Sequence, residues 1–482
     1  MVSLAPVANI LGRLVLLLGG LMLLPAALDQ AMGNGNAAAM LEAGLITAGI
    51  GGLVALATAG SLKRGFDLRA AFLLTLGIWV ILPGFAALPF MIGAPGLDFT
   101  RAYFEATSGM TTTGSTVIVG LSDLPEGMNL WRGMLNWLGG LGIAFIAMIF
   151  LPVMQVGGMQ FFRTEGFDTF GKVLPRASDI ALSLLGVYAG LTLACLITYK
   201  ALGMSALDAV VHAFATIATG GFSPQDSSFN TYAGAGEYAG AVFMFAAALP
   251  YIRYVQLATG RRNALWRDAQ VRAYFVWIMT AAVGLTLWRI WAHGGALEPV
   301  FRMTLFNVVS VTTGTGFSSG DFTAPGGFVL VVAFVIGMIG GCSGSSAAGL
   351  SVFRVQIAMA AVRAQLRQIG MPHRVEPVRY AGRTVDAETL NGVMMFVSTF
   401  ILLIGVLSVG LTLTGIDMQT AVFATWASLG NIGYGIGPGI AATGTFRDFP
   451  EAAIWIMTLA MLVGRLSLLA FLVVLMPRFW RG

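Results

Sequence analysis

Four segments of this chain superpose on one another without a gap, at 104–114, 211–221, 306–316 and 423–433. They read FEATSGMTTTG, VHAFATIATGG, FNVVSVTTGTG and FATWASLGNIG. Each opens on a large apolar residue, carries Ser or Ala four positions later (Ser108, Ala215, Ser310, Ala427) and closes on glycine. Each also follows an acidic residue: Asp98, Asp208, Glu298 or Asp417. A single polypeptide that must build a complete four-fold ring has to supply its unit four times, so internal repetition is the first constraint on the fold.

The medium for such a ring follows from composition. The chain of 482 residues is 57% hydrophobic and 10% charged, with a mean hydropathy of +0.82. Soluble domains carry roughly 25% charged residues, so the chain reads as an integral membrane protein. The sequence pI of about 9.4 places cations at a membrane surface and does not imply nucleic acid. Cys195 and Cys342 form no motif, and His212, His293 and His373 lack metal-ligand spacing, so a disulfide framework, zinc and haem are not expected. The apolar stretch 10–28 has no basic region before it and is longer than a signal core, which favours a retained span over a signal peptide.

Apolar runs long enough to cross ~30 Å of hydrocarbon fall at 10–29, 38–60, 68–92, 129–154, 178–201, 235–256, 272–292, 327–362, 390–414 and 452–476. After the first two, the order is a span, a connection holding one aligned segment, and a second span. The expected organisation is two extra N-terminal helices (1–65) followed by repeats at 66–160, 161–262, 263–372 and 373–482. With the N-terminus cytoplasmic, 19 of the 27 Lys and Arg fall in inner loops, among them Arg163, Arg253, Arg261, Arg367 and Arg383. Six, including Arg101, Arg132 and Arg302, fall outside. The positive-inside rule therefore places all four aligned segments on the extracytoplasmic side.

From acidic residue to glycine each segment is about 15 residues, too short to cross the bilayer and suited to a re-entrant half-helix. Irregular backbone at membrane depth is tolerated only against protein or a water-filled cavity. An acidic residue at the helix start complements the dipole, and the C-terminal end then directs partial negative charge inward, favouring a cation. Glycine allows φ > 0, so carbonyls can turn to one side. Four strands of inward carbonyls can replace a cation's hydration shell, and the lack of an Asp or Glu ring argues for a monovalent ion. Close packing of helices through small residues is the alternative use of such glycines.

At these residues the chain resembles the Trk/Ktr/HKT superfamily of potassium transporters over essentially its whole length, and most closely its TrkH-type subunits, which share the two extra N-terminal helices. Asn136-Trp137-Leu138-Gly139-Gly140-Leu141-Gly142-Ile143 resembles the second helix of the family's first repeat. Gly157-Gly158-Met159-Gln160 and Arg163-Thr164-Glu165 resemble its first cytoplasmic loop. The resemblance implies an all-α membrane fold with four helix–pore-loop–helix repeats around a central pore. It also implies a potassium filter whose constriction is Gly114, Gly221, Gly316 and Gly433. The filter residues are then Thr112, Thr113 and Gly114; Thr219, Gly220 and Gly221; Thr315, Gly316 and Phe317; and Asn431, Ile432 and Gly433. Gly220–Gly221 and Gly314–Gly316 each offer two candidates, and the gapless alignment selects the second. In the family, serine at the first position accompanies sodium transport, whereas glycine at all four, as here, accompanies potassium.

Mid-span in repeat 3, Gly340, Gly341, Cys342, Ser343, Gly344, Ser345, Ser346 and Gly349 form a run that is a poor helix. The family places an intramembrane gate loop here; close helix packing is the other reading. Arg465 lies mid-span, where it costs about 2.5–3.5 kcal/mol on insertion scales. It should face the pore or a polar partner unless it snorkels to the interface. The resemblance sets it beside the gate, and its buried charge there is expected to act as an electrostatic barrier under the filter. Potassium is the transported ion, no nucleotide motif or organic cofactor is present, and no chemistry-bearing cluster suggests an enzyme. The resemblance further implies a bacterial inner-membrane location, a homodimer and a cytosolic nucleotide-binding regulatory subunit of TrkA type. A sodium- or proton-coupled secondary transporter is the rival; such proteins usually show inverted repeats and charged midplane residues.

Overall fold

The computed structural model describes residues 4–64, 68–145, 177–324, 326–371, 376–440, 443–465, 473–474 and 476–481. The expected loop motifs at 157–165, the cations Arg163, Lys172, Arg176 and Arg374, the repeat boundaries at 65–66, 160–161 and 372–373, and parts of the spans expected at 129–154 and 452–476 lie outside the described residues.

Apolar helices dominate. The chain begins with α1 (Leu4–Leu21), α2 (Leu23–Met32) and α3 (Ala37–Ala57). Here Gly12, Gly19 and Gly51 bring α1 and α3 together so closely that a Cβ at any of them would meet the opposing backbone. Lipid supplies no hydrophobic drive between helices, so small residues and van der Waals contact hold this pair. Asp29, at the end of α2, is buried and accepts from the Asn36 side chain (2.9 Å) and the Gly127 amide (2.6 Å), which fastens the N-terminal helices to repeat 1.

Four short helices follow at the aligned segments: α6 (Phe99–Met110), α9 (Ala206–Ala218), α14 (Leu297–Thr313) and α18 (Met418–Leu429). The long helices around them are α4 (Leu68–Ala86) with its extension α5 (Leu88–Ile92), and α7 (Glu126–Phe145) in repeat 1. Repeat 2 has α8 (Ala177–Ala201), α10 (Ala235–Ala247) and α11 (Tyr251–Ala258). Then come the short α12 (Ala264–Arg267), α13 (Ala269–His293), α15 (Gly327–Ile339) and α16 (Val352–Gly370). Repeat 4 has α17 (Ala387–Leu413) and α19 (Glu451–Arg465), and α20 (Pro477–Arg481) closes the chain. Every short helix packs on its own repeat and on the second span of the repeat before it, or on that span's first half: α9 on α7, α14 on α10, α18 on α15, and α6 on α19. The arrangement therefore closes on itself.

Among the described residues, six helices are long and apolar enough to cross a membrane, or seven if the bent pair α10–α11 is one span. Two expected spans are interrupted within the described residues. The span expected at 327–362 stops at Ile339 and resumes at Val352. The span expected at 235–256 bends by 90° between Ala247 and Tyr251. Pro250 sits at that bend; it has no N–H to continue the helix. One departure from all-helical structure is a small hairpin, β1 (Arg379–Tyr380) against β2 (Arg383–Thr384). It turns through Ala381 and Gly382, both at positive φ.

Candidate functional site

The site begins at the helix starts. Asp98 and Asp417 are N-caps, accepting from the amides of Arg101 (3.1 Å) and Thr420 (2.9 Å). Asp208 and Glu298 sit in the first turns instead, with Ser205 capping α9. Partial burial pushes the Asp98 carboxyl up, but the Arg101 amide and guanidinium outweigh it and hold the group below the ordinary carboxylate value.

All four short helices then end in the same way. The amides of Thr113, Gly220, Thr315 and Ile432 donate to the carbonyls of Ser108, Ala215, Ser310 and Ala427, at 2.8, 2.8, 2.9 and 2.8 Å. Two left-handed residues produce the tail. The first is Thr112 (φ 52°), Thr219 (φ 52°), Gly314 (φ 77°) or Asn431 (φ 50°). The second is Gly114 (φ 88°), Gly221 (φ 72°), Gly316 (φ 83°) or Gly433 (φ 71°). Gly314 thus occupies the place of the two threonines and the asparagine. Gly220, which is absent from the positive-φ residues, occupies the place of Thr113.

The tails form a closed ring. A Cβ on Gly114 would strike the Gly220 carbonyl, one on Gly221 that of Thr315, one on Gly316 that of Ile432, and one on Gly433 that of Thr113. Each glycine therefore faces the carbonyl just ahead of the next repeat's glycine, and the fourth returns to the first. Side chains of the ring residues Thr112, Thr113, Thr219, Thr315, Phe317, Asn431 and Ile432 are buried. Among the described residues no hydrogen bond is made to the carbonyls of Thr113, Gly220, Thr315 or Ile432. Buried carbonyls are almost always paired with protein, water or an ion.

A polar frame fixes the ring from behind. Asn136 of α7 donates to the Gly109 carbonyl (2.9 Å) and accepts from the Phe222 amide (3.1 Å), joining repeats 1 and 2. Asn307 of α14 donates to the Ser319 carbonyl (2.7 Å) and accepts from the Tyr434 hydroxyl (2.8 Å), joining repeats 3 and 4. Arg132, counted with the outer cations although it falls in the span expected at 129–154, is buried in α7. It pairs with the fully buried Glu105 (3.0 Å), donates to the Ser223 carbonyl (2.9 Å), and stacks 4.2 Å from the Phe222 ring centre. Sequence reasoning missed this pair; an arginine inside an apolar helix and a glutamate inside an aligned segment were the available signals.

Cavities adjoin the ring on both sides. Residues that follow the glycines, with Gly114, Gly221, Gly316 and Gly433 themselves, line a cavity of about 330 Å³. Asp226 lies on its wall and accepts from the Gly120 and Leu121 amides (3.0 and 2.9 Å). Burial raises this carboxyl, but those amides and Ser122 hold it below its ordinary value. On the other side a cavity of about 100 Å³ is lined by the break in repeat 3 and by Arg465.

That break runs from Gly340 (φ 72°) to Ser351 (φ 73°), and its backbone is tied to the bend in repeat 2. The Cys342 amide donates to the Ala248 carbonyl (3.0 Å), and the Tyr251 amide to the Gly344 carbonyl (2.9 Å). Ser346 Oγ donates to the Ile217 and Ala247 carbonyls (2.9 and 3.2 Å) and accepts from the Tyr251 hydroxyl (3.1 Å). Two broken helices so satisfy one another's freed polar groups, as backbone at membrane depth requires. Ser343 donates its amide to Gln270 Oε1 (2.9 Å), and Ser345 Oγ donates to the Cys342 carbonyl (2.7 Å). Gly340 and Gly349 pass so close that a Cβ on either would overlap the other strand of the loop, whereas Gly341 faces Ala347. Arg465 Nη2 donates to Thr112 Oγ1 (2.7 Å) and to the Ser346 carbonyl (2.7 Å). Its Nε is buried without a partner, and no carboxylate pairs with it among the described residues. The guanidinium thereby bridges the ring and the loop.

Residues 38–481 match the TrkH family, described as cation transport protein. The chain is 42% identical over 412 residues to the Trk system potassium uptake protein TrkI of Halomonas elongata, covering 85% of this chain and 84% of that protein. It is 33% identical over 485 residues to the Trk system potassium uptake protein TrkH of Escherichia coli K12, covering 98% of this chain and 99% of that protein. The crystal structure of the potassium transporter TrkH from Vibrio parahaemolyticus superposes with a TM-score of 0.91 at 29% identity, over 100% of both chains.

Proposed function

The chain belongs to the TrkH family of cation transport proteins, multi-pass membrane proteins and not enzymes, and on that premise we propose that it takes up potassium through the ring of four tails. The single observation that carries this reading is the closed ring itself, with Thr113, Gly220, Thr315 and Ile432 presenting carbonyls that no protein donor occupies. Carbonyl dipoles in such number replace the hydration shell of a bare monovalent cation. The four helix C-termini add partial negative charge behind them. Relatives named as potassium uptake proteins support the choice of ion.

In this reading Gly114, Gly221, Gly316 and Gly433 form the constriction, and the cavity lined by Asp226 is the extracytoplasmic entrance. Residues 340–349 form the gate. Arg465, held between Thr112 and the Ser346 carbonyl, keeps a positive charge directly beneath the filter, and displacement of the loop removes it. The inner-negative membrane potential supplies about 2.3 kcal/mol per charge per 100 mV, so accumulation of potassium requires no chemical step. The N-terminus is cytoplasmic, the membrane is the bacterial inner membrane, and the working unit is a homodimer joined by a TrkA-type nucleotide-binding subunit.

The test is growth of a potassium-uptake-deficient strain at low potassium, with the regulatory subunit supplied. The chain should restore growth, and Gly114→Ser should shift selectivity toward sodium or abolish uptake. Failure of the unmutated chain at verified expression would sink the proposal. Saturable turnover without unitary conductance would replace the channel with a carrier.

A further inference from the structure

The inner loop after α11 folds into a pocket that the transport reading leaves unused. It is a cavity of about 500 Å³ walled by Arg253, Arg261, Arg262, Arg267 and Asp268, with Gln256 and Asn263 at its edge. Four guanidinium groups thus face one carboxylate. Asp268 is already committed to Arg253 (2.7 Å) and to the Gln270 amide (2.8 Å). Arg261, Arg262 and Arg267 are exposed, and none has an ion-pair partner among the described residues. This loop folds back, with the Arg261 amide donating to the Gln256 carbonyl (2.9 Å), and brings Arg261, Arg262 and Arg267 onto one cavity.

The neighbourhood indicates where the balancing anion comes from. Trp266, between Arg262 and Arg267 in the chain, is 64% exposed and meets the Phe275 ring edge-on at 6.1 Å. Phe275 and Val276 lie on the exposed face of the spanning helix α13. An exposed tryptophan against the end of a span marks the headgroup level of the bilayer. Planar guanidinium groups pair with phosphate oxygens through two parallel hydrogen bonds.

We infer that this pocket binds the phosphate of an anionic phospholipid and that its occupancy biases the gate loop. The coupling follows the hydrogen bonds. Arg253 is on α11, whose first residue, Tyr251, holds Gly344 and Ser346. Asp268 caps α13, whose Gln270 holds the Ser343 amide. A phosphate competes with Asp268 for Arg253 and so loosens the join between the two elements that grip the loop. This regulatory half rests on the proposed gate; the binding half does not.

The experiment uses the full chain, purified and examined by native mass spectrometry with phosphatidylglycerol or phosphatidylcholine. The variants are Arg261→Gln/Arg262→Gln/Arg267→Gln and its Lys counterpart. Each arginine near an anionic surface is worth roughly fivefold in affinity, so the Gln variant should retain phosphatidylglycerol about a hundredfold less well. The Lys variant should keep most of it. Equal retention by unmutated and Gln chains would overturn the site, as would displacement of the lipid by inorganic phosphate at millimolar concentration, which would assign the pocket to a soluble anion. Loss of regulatory-subunit binding with lipid retention unchanged would give it to a protein partner instead.

Rubidium flux into vesicles tests the coupling. The flux in phosphatidylglycerol should differ from that in phosphatidylcholine by roughly fivefold, a typical linkage between sites, and the Gln variant should erase the difference. An unchanged lipid dependence would remove the regulatory half. A chain that carries no rubidium in either lipid would defeat the transport reading while the retention measurement still decides the pocket.

Discussion

At the ring, four repeats contribute the same thing: a left-handed residue, one further residue, and a glycine that faces its neighbour's carbonyl. Beneath it, each repeat contributes something different. Repeat 1 supplies Thr112, repeat 2 the bend at Pro250 with Tyr251, repeat 3 the open loop with Ser346, and repeat 4 Arg465. The ring is made of backbone, and four different tail sequences reach the same pair of left-handed positions. The lower assembly adds side chains that differ from repeat to repeat and bond to freed backbone groups. Under the proposed function, selectivity would reside in what is repeated, and control in what is not.

The largest effect expected from breaking the comparison is at the ring. Gly221→Ala and Gly316→Ala each force a side chain onto a left-handed backbone, at about 1–3 kcal/mol, and onto a neighbour's carbonyl. Because the positions are equivalent, both variants should lose potassium uptake completely at normal expression. A variant that still transports would show that the four glycines are not equivalent in use.

The frame behind the ring comes next. Arg132→Met leaves the buried Glu105 without its countercharge, held by the Thr116 hydroxyl and the Val117 amide, and loss of one partner of a buried pair costs about 3–5 kcal/mol. Thermal unfolding in detergent should show the loss, and Arg132→Met combined with Glu105→Gln should recover part of it. Equal damage in both would mean that shape, and not charge, governs this position.

Below the ring the sign reverses. Arg465→Ala removes the charge between Thr112 and Ser346, so flux measured without the regulatory subunit should rise. Ser346→Ala, which releases the Ile217 and Ala247 carbonyls, should act in the same direction but less strongly. Unchanged flux in both at normal expression would separate this assembly from gating.

The smallest effect is at the helix starts. Asp98→Ala should cost about 1 kcal/mol, as loss of an N-cap does. The folded-state pKa of Asp98 is lowered, so its contribution is present above the unfolded value of about 3.9 and lost as pH falls through the folded one. The difference in stability between unmutated and Asp98→Ala chains should therefore close on acidification. A gap that persists at low pH would point to helix packing at that end and away from the cap.

Much of the ring was legible in the chain because it depends on local grammar. Acidic starts, about three turns of helix and a terminal glycine are sequence-near features, and four copies in register identify equivalent positions. Gly114, Gly221, Gly316 and Gly433 could be named for that reason. The broken span of repeat 3 was visible in the composition of 340–349. The bend of repeat 2 was less so, although Pro250 lay inside the expected span. What makes that bend tolerable is a set of donors, Cys342, Ser346 and Tyr251, drawn from two repeats. Arg132 and Glu105 were unreadable as a pair, since 27 positions separate them and only packing brings them together.

By itself, the sequence determined that this chain lies in a membrane, that one segment recurs four times in register, and which glycine closes each copy; the left-handed Thr112, Thr219 and Asn431 came only from the structure. Burial, dipole and glycine freedom act over a few residues, so these conclusions needed no neighbours. Only the tertiary structure decided that the ring closes from repeat 4 onto repeat 1, that Arg465 joins Thr112 to Ser346, and that two broken helices satisfy each other. Those facts depend on which carbonyl meets which donor across hundreds of positions, a pairing that local propensity does not encode.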